Sequence, residues 1–152
     1  MKNRWIESEA VASASEDIDL GLRVYTSQLL GADADLVLHG GGNTSVKGEL
    51  QNVFGETEPV LFVKGSGWDL RTIEAAGFPG VKMDHLLRLG KLDSLSDSEM
   101  MRQLRLALLD PTAPTPSVEA ILHALIPHKY VDHSHADAVV AISNSPDGEA
   151  ML

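Results

Sequence analysis

Apolar residues recur at helical intervals over the first thirty positions. Ile18, Leu22, Tyr25 and Leu29 lie three or four apart, ahead of Gly31 as a stop signal, which is the spacing of one helix face. Residues 5 to about 30 therefore predict two helices, the second starting at Ser15, Glu16 and Asp17 through N-capping and dipole complementarity. Their expected role is to cover a sheet. The period then changes. Residues 35–38 (DLVL) and 60–63 (VLFV) are short apolar runs suited to strands, each running directly into a glycine turn. The polar stretch 48–59 between them reads as a turn. Short helices are expected over residues 70–76 and 84–89, the latter with Leu86, Leu87 and Leu89 as core contacts. Ser96, three residues ahead of Glu99, has capping-box spacing and opens a helix to about residue 109, with Met101, Leu104 and Leu108 on one side. Pro111, Pro114 and Pro116 then enforce an extended link. Helical spacing resumes over residues 117–126, a strand is expected over 129–135, and residues 136–142 fit either a strand or a helix.

Composition narrows the class. At 152 residues the chain is one domain's worth of material, long enough to bury a sizeable core. Its formal net charge of −10 argues against a sequence-independent grip on nucleic acid, which relies on Lys and Arg neutralising phosphates. It leaves room for a small phosphorylated ligand, because backbone amides at glycine turns and helix N-termini hold a single phosphate whatever the global charge. The absence of cysteine excludes disulfides, thiolate nucleophiles and Cys-based zinc sites. No stretch approaches the roughly 20 apolar residues of a membrane span and the N-terminus has no long apolar core, so a cytoplasmic protein without membrane contact is expected. The final residues, SNSPDGEAML, read as a loop leading onward and suggest a domain (1–152) truncated at its C-terminal end.

Three segments carry candidate chemistry. His133-Ser134-His135 on an extended segment places both imidazoles on one side, because side chains alternate along a strand. Imidazole is the commonest transition-metal ligand, so the pair supplies about half of a zinc shell; the plain alternative is two unrelated half-buried or surface histidines. Glu119 and His123 lie four apart and share a helix face. His39-Gly40-Gly41-Gly42-Asn43-Thr44-Ser45 and Lys64-Gly65-Ser66-Gly67 are glycine-rich turns that fit neither a dinucleotide fingerprint nor a P-loop. Glycines there permit positive φ and close approach of a ligand to the backbone, so the two turns are candidates to converge on one anion.

Together, HGGGNTSVK, VKGSGWDL and PSVEAILHALIPHKYVDHSHAD, in this order and spacing, resemble the class II aldolase/adducin family of zinc-dependent sugar-phosphate aldolases. They resemble most the amino-terminal aldolase part of bifunctional rhamnulose-1-phosphate aldolase/short-chain dehydrogenase proteins, over about residues 35–147. The resemblance implies an α/β domain with a mostly antiparallel central sheet covered by helices on both faces. It implies Zn2+ on His133 and His135, Glu119 as the acid/base residue near the metal, and Asn43, Ser66, Gly67 and Ser117 around the substrate phosphate. It implies cleavage of a ketose 1-phosphate, rhamnulose 1-phosphate first among them, to dihydroxyacetone phosphate and lactaldehyde, in a homo-oligomer. Retro-aldol cleavage leaves negative charge on an enediolate, which a zinc ion stabilises. A carboxylate whose pKa is raised by burial then shuttles the carbon-bound proton.

The sequence departs from the family pattern in places. Val118 stands where the fuculose-phosphate relatives have a second serine, which removes one phosphate donor. The third zinc histidine of the family falls beyond Leu152, as does a tyrosine that a neighbouring subunit contributes. A non-catalytic adducin-like interaction domain and a family epimerase or dehydratase acting on another sugar phosphate are the rival readings. Among the other histidines, His85, His123 and His128 read as packing or surface residues, with His123 placed to orient Glu119. His39 borders the first glycine turn, Lys64 is a candidate to neutralise phosphate, and Trp68 reads as core or rim.

Overall fold

The computed structural model describes residues 3–14 and 17–151. Helices α1 (Glu7–Ser13) and α2 (Ile18–Gly31) lead into a hairpin of β1 (Asn43–Gln51) and β2 (Thr57–Val63). Two 3-10 turns, Leu70–Thr72 and Ala75–Gly77, precede β3 (Gly80–Lys82), α3 (Met83–Leu89) and α4 (Asp97–Leu106). The chain continues through α5 (Ala120–Leu125), β4 (Tyr130–His133), α6 (Asp137–Ser143) and α7 (Gly148–Met151). The strands form one sheet in the order β3-β2-β1-β4, and every neighbouring pair is antiparallel. None of the described helices is long and apolar enough to cross a membrane.

The register decides what each face carries, since opposed residues of antiparallel strands share a face and successive residues alternate. Asn43 opposes His133, Ser45 opposes both Val63 and Val131, and Lys47 opposes Leu61, which in turn opposes Val81. These residues define the front face. There Leu61, Val63 and Val81 form one core with Met83 and Leu86 of α3, Leu104 of α4, Ala107, and Ala120 and Ala124 of α5. Thr44, Val46, Val60, Phe62, Tyr130 and Asp132 fall on the back. Phe62 joins a second core of Val37, Leu70, Ile73 and Phe78, packed under Leu20 and Val24 of α2. Helices therefore cover both faces, and the α/β antiparallel architecture expected from the sequence is the one observed.

Several local expectations change. Residues 35–38 are not a strand: Leu36 and Val37 donate backbone hydrogen bonds to Asp33 O, so the run closes a turn that plugs Val37 into the back core. The strand is instead the more polar segment after the glycines, because its alternate positions serve two buried faces. The polar stretch 48–59 is mostly strand, and the turn occupies only the tip between Gln51 and Thr57, since this end of the hairpin projects into solvent and tolerates polar side chains on both sides. The helix expected over 70–76 is two 3-10 turns, and residues 136–142 are helical. Asp17 caps α2, its carboxylate accepting from Leu20 N at 2.9 Å, while Ser15 and Glu16 lie outside the described residues. Ser96 caps α4 by accepting from Glu99 N, and Glu99 turns to Arg102 and Gln103.

Candidate active site

The first glycine turn bends through left-handed backbone, with φ of 47° at His39, 77° at Gly40 and 65° at Gly42. A side chain at Gly42 would place its Cβ 2.7 Å from His133 O, so the bare turn lies directly against the end of β4. A Cβ at Gly41 would lie 3.3 Å from His135 Nδ1. The second turn is fastened to the segment that precedes α5: Ser66 N donates to Thr115 O at 2.8 Å, and Ser117 N donates to Lys64 O at 3.0 Å. Lys64 joins the two turns, its Nζ donating to Gly40 O at 2.9 Å. The turns thus meet as expected, and with Ser117, Glu119 and His135 they line a cleft of about 270 Å³.

Glu119 sits at the N-terminal boundary of α5, its carboxylate turned to the front of the sheet. It accepts from Asn43 Nδ2 and from Ser117 Oγ at 3.3 Å, and lies 3.3 Å from His133 Nδ1. Burial pushes its pKa up, but the hydrogen bonds from Asn43 and Ser117 and the neighbouring His133 outweigh burial. The net pKa lies below the ordinary glutamate value, the reverse of the raised pKa expected from the sequence. Asn43 commits its amide nitrogen to Glu119 and stands 3.2 Å from His133 Nδ1, while its Oδ1 is buried without a partner. One N–H of the residue expected at the substrate phosphate thus goes to the carboxylate.

His133 ends β4 and His135 follows it outside the strand, yet their rings remain on one side, 4.8 Å apart at 64°. Two imidazoles and one carboxylate suit zinc chemically. They form a partial donor set, since among the described residues no three His, Asp or Glu side chains converge as a metal site. Ser66 and Ser117 line the cleft; Gly67 is not among its lining residues, and has a φ of 87° and open space where a Cβ would lie.

Behind Glu119, the front face holds a second layer. His123 is 1% exposed and pairs through Nδ1 with Ser45 Oγ at 2.8 Å. Burial lowers its pKa to about 4, only partly countered by Glu119. Lys47 Nζ reaches the carbonyls of His123, Ile126 and His128 at the end of α5, at 2.9, 2.5 and 2.6 Å. A cation there answers the helix dipole and the unpaired carbonyls together. From the sequence Ser45 reads only as part of the glycine turn and Lys47 has no assigned role. The signal was present in Asn43, Ser45 and Lys47 at alternate positions, one face of a strand. Of the other histidines, His85 pairs with Gln103 at 2.8 Å, His128 is exposed, and His39 borders the first turn without lining the cleft. Trp68 packs against the back core.

Residues 23–151 match the family model for the class II aldolase and adducin N-terminal domain. A solved structure titled as the N-terminal class II aldolase domain of a conserved protein from Thermoplasma acidophilum superposes with a TM-score of 0.85 at 45% identity, covering 96% of this chain and 65% of that one. A Bacillus subtilis (strain 168) protein named uncharacterized oxidoreductase YuxG is 39% identical over 149 residues. That match takes in 98% of this chain but only 21% of the relative, so the chain spans about a fifth of that protein's length. By fold, by sequence and by the length of the match, this chain belongs to the class II aldolase and adducin N-terminal domain family.

Proposed function

We propose that this domain binds a small phosphorylated sugar between its two glycine turns and, with zinc on His133 and His135, cleaves rhamnulose 1-phosphate to dihydroxyacetone phosphate and lactaldehyde. The observation that carries this reading is the meeting of Glu119 and His133 at 3.3 Å, with Glu119 and His135 lining the same cleft as Lys64 and Ser66. Lys64 and Ser66 with the turn amides are the groups suited to a phosphate, and binding it positions the reacting carbons remotely. Zinc, when bound, supplies Lewis-acid stabilisation of the charge left by carbon–carbon cleavage.

Glu119, with its pKa held below the ordinary value, is ionised at neutral pH. It suits proton abstraction in the condensation direction and returns the proton in cleavage. Asn43 and Ser117 fix the carboxylate's orientation. The histidine pair beside that carboxylate favours a catalytic domain over a purely structural one.

The experiment is a coupled assay of dihydroxyacetone phosphate release from rhamnulose 1-phosphate by the zinc-supplied protein. Release is expected, and Glu119→Gln should lower kcat by about 10²–10⁴-fold, the usual worth of a general acid/base. Stoichiometric zinc binding without release from any ketose 1-phosphate overturns the reading.

A further inference from the structure

We propose that Ser45 and Lys47 are positioning residues for Glu119: with Asn43 they form a polar ladder on the front of β1 that sets where α5 sits, and thereby holds the carboxylate beside His133. The catalytic consequence rests on the aldolase reading; the ladder does not.

The helix that carries Glu119 at its start is poorly held by apolar packing. It has six residues, Ala120–Leu125, and a helix that short is marginal in water on its own. Its buried side chains are Ala120, His123 and Ala124, while its two leucines, Leu122 and Leu125, are 56% and 49% exposed. Stabilisation by burial scales with the apolar area removed from water, and an alanine methyl contributes little of it. Nor does a methyl group interdigitate deeply enough to oppose sliding or rotation of the helix. Polar contacts must therefore decide where α5 rests.

Three successive front-face positions of β1 supply them. Asn43 Nδ2 donates to Glu119, Ser45 Oγ pairs with His123 Nδ1 at 2.8 Å, and Lys47 Nζ donates to the carbonyls of His123, Ile126 and His128. The spacings agree. Two residues along a strand advance about 6.6 Å, and four along a helix advance about 6 Å, so residues 43 and 45 meet 119 and 123 rung for rung. Lys47 then closes the ladder over the carbonyls that end the helix. Sliding α5 by one residue would turn it about 100° and break all the rungs together, leaving a buried imidazole and helix-end carbonyls without partners.

β1 thereby places both members of the central pair. Through its register it holds His133, which opposes Asn43, and through the ladder it holds Glu119. The 3.3 Å approach of the two is set by one strand. The phosphate-side groups are set differently: Lys64 and Ser66 lie on the second turn, and Lys64 is tied to Gly40 O. Loosening the ladder should therefore displace the carboxylate and spare the anion site.

Lys47→Met removes the closing cation, and Ser45→Ala removes the middle rung. In each variant the Asn43 Nδ2 resonances should shift, because the carboxylate they meet moves. In each, kcat for dihydroxyacetone phosphate release by the zinc-supplied protein should fall about tenfold or more, while inorganic phosphate binds as tightly as to the wild type. Val46→Ala serves as the control for simple destabilisation: Val46 is fully buried on the back of the same strand, and its loss should lower stability and leave the Asn43 resonances and kcat in place. Asn43 resonances unmoved in both ladder variants overturn the proposal, as does an equal shift in Val46→Ala or an unchanged kcat in an active protein. A wild type that releases no dihydroxyacetone phosphate sinks the aldolase reading alone, and the Asn43 resonances then decide the ladder.

Discussion

Arg23 and Asp132 meet at 2.7 Å on the back of the sheet, one residue along β4 from His133 on the front. Arg23 is 1% exposed; it also donates to Ser45 O on β1, to Val131 O on β4 and to Thr26 Oγ1, and its guanidinium lies 5.7 Å from the centre of the Tyr130 ring. A buried cation is costly unless its donors are used, and here the two terminal nitrogens reach both strands at once while Nε is left without a partner. β4 pairs with β1 at only four positions. A one-residue slip would turn His133 to the back and Asp132 to the front. The pair therefore fixes which side of β4 faces Glu119. Asp132→Asn should cost about 1–3 kcal/mol in urea unfolding, because Arg23 keeps its burial and loses its partner. It should also weaken the cross-strand Asn43–His133 NOE. Ser27→Ala, which removes a contact to Thr44 in the same helix–sheet interface, should lower stability and leave that NOE intact. An unchanged NOE in both variants would refute the clamp.

The two N-terminal helices, the α4 cap and the proline break were legible because each rests on local chemistry: period, capping oxygen, missing donor. The site segments were legible for a different reason, as three quoted stretches with a shared resemblance. What escaped was whatever depends on partners distant in sequence. Residues 35–38 have strand composition, yet tertiary packing turns them into a plug for the back core. Arg23 carries no signal of its own within its helix, and only the fold brings it to Asp132. Glu119 was expected to have a raised pKa from burial; hydrogen bonds from Asn43, seventy-six residues away, and Ser117, with His133 alongside, together reverse the direction.

His123 gives the stability an acid limb. Its folded pKa, lowered by burial to about 4, lies below the ordinary histidine value of 6.5, so the unfolded chain binds more protons between those values. Stability attributable to this residue is fully present above about pH 6.5 and falls as pH drops toward 4, then levels off. The loss should be on the order of 2 kcal/mol after allowing for screening. Denaturant midpoints measured from pH 7 to pH 4 should show the decline, and His123→Gln should flatten it. An equally steep decline in the variant assigns the limb to other groups.

Two glycines test the turns separately. At Gly42 both obstacles apply, a φ of 65° and a Cβ 2.7 Å from His133 O. At Gly67 only the φ of 87° applies, since nothing lies within 4 Å of the added atom. Gly67→Ala should cost about 1 kcal/mol, the left-handed penalty alone. Gly42→Ala should cost about 3 kcal/mol or more and shift the His133 backbone resonances, because β4 must move to admit the methyl group. Equal costs at the two positions would mean that the turn and β4 are not in the close contact described.

Lys64 is the cation that the cleft holds in place. It is 7% exposed, donates to Gly40 O at 2.9 Å, and lies within the influence of Asp69 and Glu119. Burial pushes its pKa below the ordinary lysine value, and those two carboxylates offset part of that shift. An ammonium fixed between two glycine turns is preorganised for a phosphate, whereas a solvated lysine would lose rotamer freedom on binding one. Lys64→Met keeps the stem and removes the charge. In calorimetric titration with inorganic phosphate it should weaken binding about tenfold or more, the loss of one charge-assisted hydrogen bond of roughly 1.5–3 kcal/mol. The same titration on Ser66→Ala should show a smaller loss, since a neutral donor contributes less. Phosphate affinity unchanged by Lys64→Met would move the anion out of this cleft and leave Lys64 as a strut between the turns.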